Sequence, residues 1–223
     1  MATTTPAAEV FVVDDDPSVR TALVRTLTSA GYRVRDFAAA QAFLDSGSHQ
    51  QPGCLILDLR LPDLDGMALY ERLRAAGAWM PVIFLTGFGD IPTSVEAMKS
   101  GAMDFLPKPV ADEVLLAAVE AALVEEARRR ADRVEQAEIA GRLATLTARE
   151  RQVMQLVLAG RLNKQIAGDL GISEKTVKVH RGRVMAKMGV PQVARLVSLV
   201  ARAGLLPGAS ESAGSSAANA TDS

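Results

Sequence analysis

Short apolar runs alternate with amphipathic stretches through the first half of the chain. Val10-Phe11-Val12-Val13, Cys54-Leu55-Ile56-Leu57 and Val82-Ile83-Phe84-Leu85 have strand length and β-branched or aliphatic content. They predict strands over 9–13, 53–57 and 81–85, with further strands over 32–36 and 103–106. Helical patterns fill 17–30, about 39–46, 66–76, 91–100 and the chain from 110 onward, and Gly31, Gly53, Gly77 and Gly101 punctuate them. Alternation of this kind predicts an α/β domain, a doubly wound five-stranded parallel sheet with helices on both faces.

The second half has helical periodicity only. From Ala111 to Gly141 the residues are strong helix formers, with no Pro and no Gly before Gly141 itself. Leu115, Leu116, Val119 and Leu123 are placed to pack on the sheet, after which the apolar positions thin to Val134, Ile139 and Leu143. That sparseness predicts a helix running on past the first domain as a connector, rather than half of a coiled coil. Over about 30 residues it would span roughly 45 Å.

Thr147-Ala148-Arg149-Glu150 is a capping box that starts a new helix. Val153, Leu156 and Val157 follow at helical spacing, and Gly160 ends it. A short helix over 163–170 turns at Gly171-Ile172-Ser173 into another over 174–188. Val177, Val184 and Met188 are its core face, and Lys175, Lys178, Arg181 and Gly182 its outer face. Two short helices joined by a Gly-containing turn, the second basic outside, form a helix-turn-helix in an all-α domain. Residues 207–223 are small and polar and are expected to be disordered. The predicted organisation is 1–125, a helical linker over 126–142, a helical domain over 143–206, and a tail over 207–223.

Charge sharpens this division. Residues 1–125 carry 9 basic and 17 acidic side chains, whereas residues 143–206 carry 11 basic and 3 acidic, so a net of -8 faces one of +8. The basic half is suited to a polyanion, and its compact helical pattern favours nucleic acid over membrane lipid. The lone Cys54 excludes an internal disulfide framework and fits a reducing compartment. The first residues lack a signal peptide's basic and apolar regions, and no apolar stretch reaches the ~18–20 residues of a membrane span. A cytoplasmic protein with no membrane partner is expected.

Candidate chemistry gathers at the predicted strand ends. Asp14, Asp15 and Asp16 follow the first apolar run, Asp58 the second, Thr86 ends the third, and Lys108 follows the fourth. Ligands of open α/β sheets sit in the crevice at the carboxyl ends of the strands. Carboxylates crowded there call for a hard cation such as Mg²⁺, which takes one or two carboxylates, waters and a phosphate oxygen. Acids, a hydroxyl and an ammonium together suit phosphoryl transfer, where positioning and charge neutralisation dominate. Asp16-Pro17 also fits a helix N-cap with Pro at the first helical position.

These residues, with Leu61-Pro62 and Gly66, resemble the receiver domain of bacterial two-component response regulators over about residues 7–125. The resemblance implies a flavodoxin-like fold in which Asp58 accepts a phosphoryl group. Asp14, Asp15, Asp58 and the backbone carbonyl of Arg60 would hold Mg²⁺. Thr86 would bind the phosphoryl group once it is on, Lys108 would pair with it, and Phe105 would be the switch aromatic. Residues 143–206 resemble the LuxR/FixJ-type DNA-binding domain through Leu146 to Glu150, Asn163 to Ala167 and Ser173 to His180. Thr86-Gly87-Phe88-Gly89-Asp90 points to the FixJ-like branch, with Phe88 where relatives often carry a polar residue. A phenyl ring there would exclude the attacking water and lengthen the phosphorylated lifetime.

By the same resemblance, Lys178 and Val179 reach base edges, Gly182 permits close approach to DNA, and Lys175, Thr176, Arg181 and Arg183 contact phosphates. The expected function is a transcriptional regulator phosphorylated by a sensor histidine kinase, dimerising when phosphorylated, and acting on promoter DNA and RNA polymerase. It would catalyse only its own Mg²⁺-dependent phosphorylation and dephosphorylation. The competing reading is a phosphorelay or phosphate-sink receiver with constitutive DNA binding. A small-ligand sensor has no pocket signature in the sequence.

Overall fold

A strand can bury four apolar residues in a row at 10–13 only if both of its faces are covered, and β1 (Glu9–Val13) is such a strand. The computed structural model describes residues 8–87 and 103–204. The chain divides into two units, Met1–Arg130 and Ala131–Ser223.

In the first unit β1, β2 (Arg33–Phe37), β3 (Gly53–Asp58), β4 (Val82–Thr86) and β5 (Asp104–Pro107) form one parallel sheet in the order β2-β1-β3-β4-β5. Three expected strands lie one residue early, because the pairing starts at Arg33, Val82 and Asp104. The two-residue alternation of a strand sorts the core into two layers. Phe11, Val13, Leu55, Leu57 and Phe84 point to the layer closed by Phe43, from α2 (Ala40–Asp45), and Leu69 and Leu73, from α3 (Gly66–Ala75). Val10, Val12, Cys54, Ile56, Ile83 and Leu85 point to the other layer, closed by α1 (Pro17–Ser29) and the start of α4 (Asp112–Ala144). Cys54 is fully buried, and burial pushes its thiol up to about 12, which fits a packing role. The helix expected over 91–100, Phe88 and the tail lie outside the described residues.

Helix α4 runs without a break through Gly141. Leu115 and Val119 are buried on the sheet as expected, with Leu116 and Leu123 partly so. Ile139, expected on a connector, is instead buried in the second unit's core with Leu146, Met154, Val184, Met188, Leu196 and Val200.

That unit continues with α5 (Ala148–Leu158), α6 (Asn163–Leu170), α7 (Glu174–Met188) and α8 (Val193–Arg202). The capping box is reciprocal: the Glu150 N–H donates to Thr147 Oγ1 at 3.2 Å and the Thr147 N–H to Glu150 Oε2 at 2.9 Å. Lys187 Nζ also reaches Glu150 at 2.6 Å and holds its carboxyl far below the usual range, at about 2. Gly171 ends α6 in the left-handed conformation with φ 63°, and Ser173 caps α7 by accepting from the Thr176 N–H. Among the described residues no single helix is long and apolar enough to cross a membrane.

Candidate functional site

Parallel pairing delivers the candidate residues to one edge of the sheet. Val13 lies opposite Leu57, Asp58 opposite Leu85, and Thr86 opposite Pro107, so Asp14, Asp58, Thr86 and Lys108 all fall at carboxyl ends of neighbouring strands. Asp14 is fully buried, and Asp58 and Thr86 are nearly so. Lys108 Nζ bridges the acids, 2.6 Å from Asp14 Oδ2 and 2.9 Å from Asp58 Oδ2. Its own backbone N–H donates to the Thr86 carbonyl at 2.7 Å, which ties it to the end of β4, and the Lys108–Pro109 peptide is cis.

One carboxylate oxygen each from Asp14, Asp15 and Asp58 lies within 4.8 Å of the others. With Mg–O distances of about 2.1 Å, oxygens sharing one octahedral ion sit roughly 3–4 Å apart. Small rotations therefore suffice, and the all-oxygen set fits a hard divalent cation. Charge points the same way. Lys108 bonds Asp14 and Asp58 and brings one positive charge to a cluster of three acids. Burial raises the Asp14 carboxyl above its ordinary value, outweighing the Lys108 contact. Lys108 is raised in turn: burial opposes its charge, but the bonds to Asp14 and Asp58 prevail.

Asp16 stands apart from the cluster. Its Oδ1 accepts from the Ser18 N–H at 2.8 Å and caps α1, with Pro17 at the first helical position. The Arg60 N–H donates to Asp58 Oδ1 at 3.3 Å. Gly66 packs against the end of β3: its N–H donates to the Leu59 carbonyl at 2.9 Å, and a Cβ there would lie 2.3 Å from the Asp58 carbonyl oxygen. Phe105 is half-buried and stacks on Phe84, with centroids 4.8 Å apart.

Two residues at this edge were not singled out from sequence. Arg20 donates to the carbonyls of Asp14 at 2.7 Å and Asp15 at 3.0 Å, clamping the loop that carries both acids. Asp63 accepts from the N–H groups of Ala40 and Gln41 and fixes α2 beside the loop after β3. A basic residue one helical turn after an Asp-Pro cap was the available signal for Arg20.

In the second unit Lys175, Lys178, Val179, Gly182 and Arg183 are exposed on α7, whereas Thr176 is half-buried with its hydroxyl 2.8 Å from that of Ser173. Arg181 has a partner of its own, donating to Asn163 Oδ1 at 2.6 Å. This bond joins the two helices of the helix-turn-helix.

The chain matches the family models for the response regulator receiver domain over residues 10–120 and for bacterial regulatory proteins of the luxR family over residues 144–200. It is 44% identical to the transcriptional regulatory protein FixJ of Azorhizobium caulinodans, over 89% of this chain and 94% of that protein. It is 41% identical to the response regulator protein TodT of Pseudomonas putida, over 88% and 86%. Among solved structures it resembles the response regulator StyR, with a TM-score of 0.78 and 48% identity over 87% of this chain and 98% of that one. Full-length FixJ from B. japonicum gives a TM-score of 0.56 and 42% identity over 90% and 99%.

Proposed function

The chain belongs to the two-component response regulators of the FixJ type and is a transcriptional regulator with a receiver and a LuxR-type DNA-binding domain, and on that premise we propose that Asp58 is its phosphoacceptor. The observation that carries the proposal is the nearly buried Asp58 carboxylate, held at a strand end by Lys108 and within reach of Asp14 and Asp15. The receiver would occupy 1–125, the linker 126–142 and the DNA-binding domain 143–206.

A divalent cation, held by Asp14, Asp15, Asp58 and the Arg60 carbonyl, would offset charge on the entering phosphoryl oxygens. Asp58 supplies the nucleophile. Its oxygen forms the new bond to phosphorus while the bond to the kinase imidazole nitrogen breaks, and that nitrogen keeps the electron pair. Lys108 moves from its pairing with Asp14 to the phosphoryl oxygen, Thr86 donates its hydroxyl to another, and Phe105 follows Thr86. The change of surface around β4 and β5 would promote a homodimer that engages promoter DNA and RNA polymerase in the cytoplasm.

Mg²⁺ addition should raise the melting temperature, because it binds the folded site and not the open chain. Asp15→Asn should remove most of that rise. A variant whose melting curve answers Mg²⁺ as the native protein does would remove Asp15 from the metal site.

Lys178 and Val179 would read base edges in the major groove, Gly182 would allow close approach, and Lys175, Thr176 and Arg183 would contact phosphates. Arg181 would reach a phosphate only with the guanidinium nitrogens that its Asn163 bond leaves over. Lys178→Ala should cost roughly 1–3 kcal/mol on the specific site and relax preference at one base pair. Lys175→Ala should weaken all sequences alike and lower the salt slope by about one. Binding to an operator and a scrambled duplex across a salt series separates them. Identical losses on both duplexes for both variants would make Lys178 a phosphate contact.

A further inference from the structure

At the end of the sheet opposite Asp58 the first unit has a cavity of about 370 Å³ that the phosphoacceptor chemistry does not use. Tyr70 and Arg74 line it from α3, Trp79 and Met80 from the loop before β4, Met103 from the residue before β5, and Arg129 from α4. Five residues of β4 separate it from the acid cluster, roughly 16 Å. Its volume lies in the range of small-molecule sites, and its walls combine aromatic rings and thioethers with cationic groups.

Two features point to the chemistry of an occupant. The first is charge. The Arg74 guanidinium lies over the Tyr70 ring at 5.8 Å and has no carboxylate partner among the described residues. Arg129 bonds to Glu125 at 2.6 Å, and Glu125 also accepts from Arg128 at 2.8 Å. The guanidiniums of Arg74 and Arg129 thus stand out beside residues 1–125, which carry a net charge of -8. The second is exposed apolar surface. Trp79 is 58% exposed at the rim, beside Met80 and Met103. Guanidiniums bind carboxylates through paired charge-assisted hydrogen bonds, and indole and thioether groups favour an apolar or aromatic body.

We propose that this cavity binds a small organic carboxylate with an apolar body, its charged end between Arg74 and Arg129 and its body against Trp79 and Tyr70. The site is independent of the phosphoacceptor reading, since it shares no residue with the acid cluster.

Trp79 is the one tryptophan of the chain, so emission excited selectively at the indole reports on the rim of the cavity. The full-length protein would be titrated with phenylbutanoate, with its neutral isostere phenylbutanol, and with an acidic peptide. The expected result is a saturable change in emission with the carboxylate, at least about tenfold weaker with the alcohol. Arg74→Gln and Arg129→Gln should each weaken the carboxylate about tenfold with unchanged melting curves, since both side chains lie at the surface. No saturable change with the carboxylate would overturn the proposal. Equal binding of the alcohol, or native affinity in both variants, would overturn it too, leaving an apolar patch. Saturation by the acidic peptide alone would make the face a protein-docking surface and would also overturn it.

Discussion

Lys108→Met is expected to destabilise the receiver unit by about 3 kcal/mol at neutral pH without divalent cation. Removing one partner of a buried ion pair leaves an uncompensated charge, which typically costs about 3–5 kcal/mol. The low end applies here because Asp15 is exposed and the cluster opens toward water. The pH dependence follows from Asp14. Its folded-state pKa already lies above the unfolded value of 3.8 through burial, and loss of Lys108 raises it further. A carboxyl raised on folding costs stability above its folded pKa, and the cost fades as pH falls through that value. The gap between variant and native protein should therefore narrow on mild acidification, and added Mg²⁺ should narrow it as well. Urea midpoints at neutral and mildly acidic pH, with and without Mg²⁺, check this. A gap independent of both would mean that the loss does not come from an uncompensated carboxylate charge.

Gly66→Ala should be comparably costly for a different reason. The new Cβ would lie 2.3 Å from the Asp58 carbonyl oxygen and 3.0 Å from Leu59 Cα. Both are backbone atoms that cannot rotate away, so β3 and α3 must separate. Overpacking of this kind typically costs about 1–3 kcal/mol, and the upper end is expected. The displaced atoms belong to Asp58, the proposed phosphoacceptor, and a misplacement near 1 Å can slow a reaction roughly a hundredfold. Slow phosphorylation by acetyl phosphate should thus accompany the loss of stability. Gly182→Ala is the control: nothing lies within 4 Å of its Cβ position, on an exposed helix, so it should stabilise by about 1 kcal/mol. Native phosphorylation kinetics in Gly66→Ala would show that the loop after β3 yields without moving Asp58.

The acid cluster was legible in the sequence because its members follow continuous apolar runs, and parallel pairing carries strand ends to one edge whatever the loops do. Asp16 could be told from its neighbours by Pro17 alone, since local capping depends on adjacent residues. The turn of the helix-turn-helix was legible for the same reason, through Gly171 and Ser173. Long-range polar pairs were not. Arg181 and Asn163 are separated by 18 residues, and Asp63 caps a helix 22 residues before it. Only the packing angle of the helices brings such groups together. Ile139 was read as part of a thinly apolar connector, because periodicity counts apolar positions and not the partners that cover them. Strand starts were shifted by a residue because the first ladder bond depends on the neighbouring strand, as at Arg33 opposite Glu9.

The central claim is that phosphorylation of Asp58 controls DNA binding. Its most direct test is the affinity of the full chain for a promoter fragment, with and without acetyl phosphate at fixed Mg²⁺, in the native protein and Asp58→Asn. The account predicts tighter binding on phosphorylation of the native protein and none of that gain in the variant. A native protein that is phosphorylated, as intact mass shows, and yet binds DNA with unchanged affinity would contradict it, and the receiver would then act as a phosphate relay beside a constitutive DNA-binding domain.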